Sequence, residues 1–252
     1  MKIKNIFLLI IFPCTVFAVK GTLEERLEAL EYSVGVPLTG EDIENEDYKS
    51  PEMYVMEQFD MTEKEMLSDI IALTQRYTFT ETNEEKRVVR NAAIRLMGYY
   101  ASTNELAYLS TIWKNNADYS QRDALKVAMA VSKNSNHMWN VVNDVFTLSN
   151  NYNQENRFAV YSSLATFSKN EVTNSFLQVR KERIAVFFLE RAALEDDCML
   201  YVDRVACELN PSYRHSQQRR DNLAKLRPAG LTGEQAEIYN ARQRDALPKE
   251  DK

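Results

Sequence analysis

Apolar residues recur along most of the chain at the three- and four-residue spacing of an amphipathic helix. The first pattern starts with a capping box, Thr22–Glu25, and predicts a helix that ends at about Ser33. A second capping box, Thr62–Glu65, opens the next helix. Its apolar face carries Met66, Ile70, Leu73 and Tyr77. From there to about residue 210, helical patterns alternate with short, asparagine-rich interruptions, so the chain is predicted to be all-α.

Three of these helical segments, 89–98, 121–130 and 156–165, align without gaps. Each has arginine at its second position, alanine at its fourth and a small residue at its tenth. In chain order these residues are Arg90, Ala92 and Gly98, then Arg122, Ala124 and Ala130, then Arg157, Ala159 and Ala165. Small residues on one face let a neighbouring helix approach closely, so these positions are predicted to pack successive helices into a stack.

The first copy resembles the second helix of HEAT-type repeats, in which Val-Arg, Ala-Ala and Leu-Gly follow one another. Val89-Arg90, Ala92-Ala93 and Met97-Gly98 occupy those places, and the other two copies fit more loosely. The resemblance covers residues 62–210 and implies a right-handed α-solenoid of roughly four helical pairs. The family's regular proline and regular aspartate are missing, so a generic armadillo-type or tetratricopeptide-type solenoid stays open.

The first 18 residues have the three parts of a secretory signal peptide. Lys2 and Lys4 precede a mainly apolar run, and Val16 and Ala18 hold the small-residue positions of a cleavage site. The run is shorter than the ~20 residues that span a bilayer, so a retained anchor is the weaker alternative. Lipidation at Cys14 is another, although proline precedes it. The predicted location is therefore periplasmic or secreted, with the cut after Ala18 and no membrane span in the mature chain.

Charge divides the chain into regions. Lysine and arginine number 31 against 37 acidic residues, a net charge of -6. Residues 19–61 are predicted to be an acidic N-terminal arm with one short helix, because acids outnumber bases fourteen to three between Thr22 and Glu65. Residues 62–210 form the repeat domain, and residues 211–252 a basic helix, a polar helix and a disordered tail. The negative net charge argues against nucleic acid as a partner, since such binding needs basic residues on phosphates.

Few residues have the spacing of a catalytic or metal site. The two histidines, His137 and His215, have no second histidine at helical spacing, and no nucleophile-elbow motif occurs. No cofactor and no metal are predicted. Cys198 and Cys207 can form a disulfide if Cys198 lies in the turn before a helix and folds back. Along one straight helix they lie ~13 Å apart, which leaves two free thiols as the alternative.

Aromatic residues near successive helix ends supply candidate partner-binding positions, because Tyr and Trp are enriched at interface hot spots. These candidates are Tyr100, Trp113, Trp139 and Tyr161. The leading hypothesis is a non-catalytic scaffold that binds another protein through the concave face of the solenoid. The alternatives are an inhibitor or immunity-type protein whose acidic arm docks on a basic protein, and a helical cell-envelope enzyme. A different possibility for the arm is that it folds onto basic residues 212–227 of the same chain.

Overall fold

A computed structural model describes most of the chain and shows it to be helical. It describes residues 20–35, 50–77, 83–114, 120–147, 154–169, 175–194, 198–227 and 229–247. Within these ranges there are α-helices and short 3₁₀ turns but no strand, which confirms the predicted all-α class. The predicted signal peptide, the acidic run at 41–47 and the end of the tail lie outside them. No helix in the described part of the chain is long and apolar enough to cross a membrane.

The helices follow one another with short connections. They are α1 (Leu23–Gly35), α2 (Pro51–Gln58), α3 (Glu63–Arg76), α4 (Glu84–Tyr100), α5 (Leu106–Trp113), α6 (Ser120–Ser132), α7 (His137–Thr147), α8 (Gln154–Lys169), α9 (Ser175–Arg191), α10 (Met199–Leu209), α11 (Gln217–Lys225) and α12 (Gly233–Asp245). The 3₁₀ turns Thr103–Glu105 and Pro211–Tyr213 precede α5 and α11.

Side-chain caps fix the start of several helices. Both predicted capping boxes are present, because Thr22 and Thr62 each accept the backbone N–H of the glutamate three residues on, at 3.3 Å. The carboxylates of Glu25 and Glu65 accept the threonine N–H in return, at 2.7 and 2.9 Å. Asn83 caps α4 in the same way through its side-chain oxygen. Local hydrogen bonding therefore places these helix starts where the sequence predicts them.

The helices of the 62–210 region pack in chain order. One set, α4, α6, α8 and α10, packs consecutively, each helix contacting the next. The other set packs on it: α3 on α4, α5 on α6, α7 on both α6 and α8, and α9 on both α8 and α10. The buried apolar side chains between the helices form one continuous cluster, which begins at Leu27 in α1 and extends to Tyr213. Contacts between elements are thus mostly between near neighbours in sequence.

The first helix belongs to this core. Leu27 and Leu30 of α1 are buried in the main cluster, and α1 contacts α2, α3 and α4. Arg26 donates to the buried Asp69 carboxylate of α3 through Nε at 2.6 Å and Nη2 at 3.2 Å. The described part of the N-terminal region is therefore docked on the helices that follow it, and it contains two helices, α1 and α2, where the sequence predicts one.

The acids of α1 pair with α3 and do not reach the basic segment 212–227. Arg76 forms ion pairs with Glu24 and Glu31. Lys20, just before α1, pairs with Glu65 at 2.6 Å, and this hydrogen bond, with those of the capping box, lowers the pKa of Glu65 to about 2. The acids that the structure describes at the start of the chain thus pair within α1 and α3, whereas the acidic run at 41–47, on which the alternative of folding onto 212–227 mainly rests, lies outside the described residues.

The basic segment finds its acidic partners in α10 and α12. Arg219 is fully buried and donates to both carboxylate oxygens of Asp203, at 2.9 and 2.8 Å. It also donates to Asp245 at 3.0 Å, and Arg214 donates to the same carboxylate at 2.8 Å. A small second core lies beside this network. It contains Met199, Leu223, Tyr239 and Ala246. The last two helices are thereby held on α10.

Candidate interaction surface

The aligned repeat positions differ in burial. At the second position, Arg90 and Arg157 are buried and Arg122 is half-buried. At the fourth position, Ala124 and Ala159 are fully buried, whereas Ala92 is half-buried. These six residues lie in α4, α6 and α8, the three helices that pack side by side. Four of the six are thus buried between helices, and Ala92 and Arg122 are half-buried, the Arg122 Nε atom lying 3.9 Å from the Asp123 carboxylate.

The residues at the tenth position, which were predicted to let a neighbouring helix pack closely, are not buried in every copy. Ala165 is buried, but Gly98 and Ala130 are exposed. A Cβ atom on Gly98 would lie 3.7 Å from Val127 Cγ2, an ordinary van der Waals contact. At Gly98 a larger residue therefore has room, and the role of Ala130 in helix stacking stays a prediction.

Three of the four candidate partner-binding aromatic residues are in the core. The exposed fraction is 2% for Trp113, 8% for Trp139 and 0% for Tyr161. Phe187 of α9 packs on the Trp139 ring at 5.8 Å between centroids and on Tyr161 at 6.1 Å. Such side chains are enclosed by neighbouring helices, so a partner cannot reach them, and their assignment to a binding groove is corrected.

Tyr100 is half-buried at the end of α4. Its hydroxyl lies 3.8 Å from the sulfur of Met56 in α2, and burial raises the pKa of Tyr100 to about 12. This side chain therefore joins α2 to α4. Its neighbour Tyr99 points outward instead and is 82% exposed.

In the part of the chain that the structure describes, neither Cys198 nor Cys207 is in a disulfide. Cys198 lies directly before α10 and its carbonyl accepts the N–H of Val202 at 3.0 Å, as in a continuing helix. It does not fold back toward Cys207, which is nine residues further on. The disulfide alternative is therefore corrected to two thiols. Burial raises the pKa of Cys207 to about 11, so this thiol stays protonated at neutral pH.

The accessible surface of α4, α6, α8 and α10 is a set of outward stripes at helical spacing. In α6, which is buried on most sides, the stripe is Arg122, Lys126 and Ala130. We call the four stripes together the second-helix face. It consists of Val88, Arg95, Tyr99, Arg122, Lys126, Ala130, Glu155, Phe158, Ser162, Thr166, Lys169, Tyr201, Arg204 and Glu208.

Contacts between neighbouring stripes make this face continuous at its N-terminal side. Arg95 of α4 reaches across to the Asp123 carboxylate of α6, with Nη1 3.8 Å from Oδ2. Beneath the surface, the side-chain amide of Asn156 in α8 lies 3.5 Å from Gln121 Oε1 in α6. Polar side chains thus hold α4, α6 and α8 in register below the exposed stripes.

Side-chain contacts also join the exposed stripes of α8 and α10. The rings of Phe158 and Tyr201 meet edge to face with centroids 5.0 Å apart. At the other end of the two helices, Lys169 Nζ lies 3.2 Å from the Glu208 carboxylate. The guanidinium of Arg204 stacks over the Tyr201 ring at 4.9 Å. This end of the face therefore combines aromatic surface with positive charge.

The second-helix face is basic on an acidic chain. Its positive residues are Arg95, Arg122, Lys126, Lys169 and Arg204. They outnumber the exposed Glu155 and Glu208 together with the buried Asp123 carboxylate, which lies against Arg95 and Arg122. Sequence reasoning missed Lys126, Phe158 and Arg204, because candidates were chosen only among tyrosines and tryptophans. The i, i+4 spacing of Arg122 and Lys126 is visible in the sequence, but only the buried residues around it show which way it points.

In the part of the chain that the structure describes, no group of three or more His, Cys, Asp or Glu side chains lies close enough to hold a metal ion. No family model, curated protein or solved structure matches the chain. The HEAT-type resemblance therefore stays a prediction. The second-helix face is the feature from which a function can be inferred.

Proposed function

We propose that the protein is a secreted or periplasmic scaffold of the HEAT-like type that binds an acidic protein through its second-helix face and has no catalytic activity of its own. The observation that carries this proposal is the net positive charge of a continuous face on a chain whose net charge is -6. Charge complementarity selects the partner, because a basic face attracts acidic segments and repels basic ones.

The scaffold part of the proposal rests on the order of helix packing. We take eight of the helices as four successive pairs of a solenoid. The pairs are α3 with α4, α5 with α6, α7 with α8, and α9 with α10. Contacts run from each pair to the next, as expected for a stack in which a pair covers its neighbour. Helix α1 covers one end and helices α11 and α12 the other, in the role of capping elements.

An extended acidic segment fits this face better than a folded hydrophobic one. The stripes lie on four adjacent helices, so a partner that contacts all of them has to run across the helix axes. Arg95, Lys126 and Arg204 give charged contacts in α4, α6 and α10. Phe158 and Tyr201 supply aromatic area near one end, of the kind that anchors an interface.

Capture of the partner from an extract of the native host tests this function. The bait is the full mature chain, compared with a Lys126→Glu/Arg204→Glu variant. Lys64→Glu is the matched control, because Lys64 is exposed on α3 outside the face. We expect the wild type and the control to capture a protein with a contiguous acidic segment, and the double variant to lose it. Capture should also weaken as ionic strength rises from about 0.05 to 0.5 M.

Several outcomes contradict the proposal. Equal capture by the wild type and the double variant would show that the face is not the binding surface. Loss of capture after nuclease treatment would replace the acidic protein by nucleic acid. Recovery of no partner, together with reproducible turnover of a small substrate by the purified chain, would favour the enzyme alternative.

A further inference from the structure

The second-helix face ends at a small cleft between α10, α12 and the turn before α11. The cleft has a volume of about 280 Å³. It is lined by Arg204, Cys207, Glu208, Arg214, Arg242 and Asp245. Arg204 and Glu208 also belong to the face, so the two surfaces are continuous. Guanidinium groups from three separate segments thus converge on one opening.

The carboxylates of the cleft are already engaged. Asp245 accepts hydrogen bonds from Arg214 and from the buried Arg219, and the bond from Arg214 is the larger cause of its lowered pKa. Glu208 pairs with Lys169 at 3.2 Å and more distantly with Arg204, at 3.8 Å. Both carboxylates of the cleft therefore have cationic partners other than Arg242.

Arg242 is the guanidinium group available to a ligand. It is half-buried beside the cleft, and it makes no ion pair with any residue that the structure describes. Arg204 is 48% exposed and holds Glu208 only loosely. The Arg242 guanidinium can therefore turn toward an incoming anion, and a guanidinium fork matches a carboxylate group with two parallel hydrogen bonds.

We propose that this cleft binds a carboxylate side chain of the acidic partner and so fixes one end of the partner on the second-helix face. The inference rests on the proposed function and adds a specific site to it. The cleft is smaller than the pockets of about 300 to 1,000 Å³ that enclose drug-sized molecules, and it suits a single side chain. The aliphatic part of a glutamate would lie near Cys207, whose thiol is protonated at neutral pH.

Binding of a fluorescein-labelled hexaglutamate peptide, followed by anisotropy, tests the site. The variant is Arg242→Gln in the full mature chain. The matched control is Arg244→Gln, because Arg244 is in the last turn of the same helix, has the same charge and does not line the cleft. We expect Arg242→Gln to weaken peptide binding roughly tenfold, as for loss of a charged hydrogen bond, and Arg244→Gln to weaken it less than twofold.

A third variant, Lys126→Glu, separates this inference from the function on which it rests. If Lys126→Glu weakens binding but Arg242→Gln and Arg244→Gln behave alike, the face stands and the cleft assignment is overturned. If neither Lys126→Glu nor Arg242→Gln changes binding, or if the peptide does not bind, both are overturned. Tighter binding of a labelled six-nucleotide oligothymidine than of the peptide would also overturn both, in favour of nucleic acid.

Discussion

Replacing Arg219 by alanine should loosen the C-terminal helices more than any other single change in that region. The guanidinium has no solvent exposure and makes two hydrogen bonds to Asp203, one to Asp245 and one to the carbonyl of Arg214. Although burial disfavours its charged form, the Asp203 carboxylate raises the pKa of Arg219. The guanidinium of Arg219 therefore stays charged in the folded protein.

The size of the effect follows from what alanine leaves behind. Asp203 is 2% exposed and would lose both hydrogen bonds to its buried carboxylate. Removing one partner of a buried ion pair typically costs about 3–5 kcal/mol, because the other charge stays uncompensated. Asp245 is less affected, since it keeps Arg214. We expect the loss of stability to affect mainly the second core around Tyr239, because this core contains few residues.

Urea denaturation followed by far-UV circular dichroism measures the change, and hydrogen exchange locates it. Arg219→Ala should lower the free energy of unfolding by about 3 kcal/mol or more and should speed exchange in α11 and α12 first. Arg244→Ala is the control, with an expected change within about 0.5 kcal/mol for an exposed residue. A loss below about 1 kcal/mol for Arg219→Ala, with unchanged exchange in α12, would refute the reasoning.

The double variant Asp203→Leu/Arg219→Met checks the physical cause. Replacing both members of a buried ion pair by apolar residues of similar volume is often neutral or stabilising. The double variant should therefore be more stable than Arg219→Ala alone. If the double variant is the less stable protein, the loss comes from packing and not from an uncompensated charge.

Three further predictions concern other parts of the chain. Gly98→Ala should raise the free energy of unfolding by about 0.5–1 kcal/mol, because the helical glycine has room for a Cβ; destabilisation in urea would show that close packing needs glycine after all. The folded-state pKa of Asp245 is lowered, chiefly by Arg214, so its contribution to stability is present above the unfolded pKa of about 3.9 and is lost as pH falls through the folded pKa. Denaturation midpoints of the wild type and Asp245→Asn should therefore converge in acid, and a constant difference between pH 7 and pH 2 would contradict this. Mass spectrometry after alkylation of the unfolded, unreduced protein should find both Cys198 and Cys207 labelled, whereas a mass two hydrogens lower without label would show a disulfide.

Features that depend on a few neighbouring residues could be predicted from the sequence. The capping boxes at Thr22 and Thr62 involve residues three positions apart, and the structure has them where the pattern indicates. The helical class follows from the same short-range spacing. Local rules were sufficient for these features because the atoms that interact belong to one turn of helix.

Features that depend on which helices meet could not be predicted in this way. Trp139 and Tyr161 are of the residue types that are enriched at binding surfaces. In the structure, Phe187 from a helix further along the chain covers them. Arg26 and Arg219 look like surface charges in the sequence, and both find acidic partners in other helices, Asp69 and Asp203. The sequence indicates that such residues are paired or exposed, but only the packing of the helices decides between these outcomes.

The location of charge along the stack bears on where an acidic partner can bind. The acids of α1 lie beside α3 and α4, whereas α6 and α8 stand between α4 and α10. Packed helices are about 8–10 Å apart, so three such spacings separate α4 from α10 by roughly 24–30 Å. The Debye length at physiological ionic strength is about 8 Å, so the acids of α1 have little effect on a ligand at α10. The acids of α1 therefore offset part of the attraction of Arg95 at α4 but leave that of Lys169 and Arg204 unchanged, so the C-terminal end of the second-helix face should carry most of the affinity for an acidic segment.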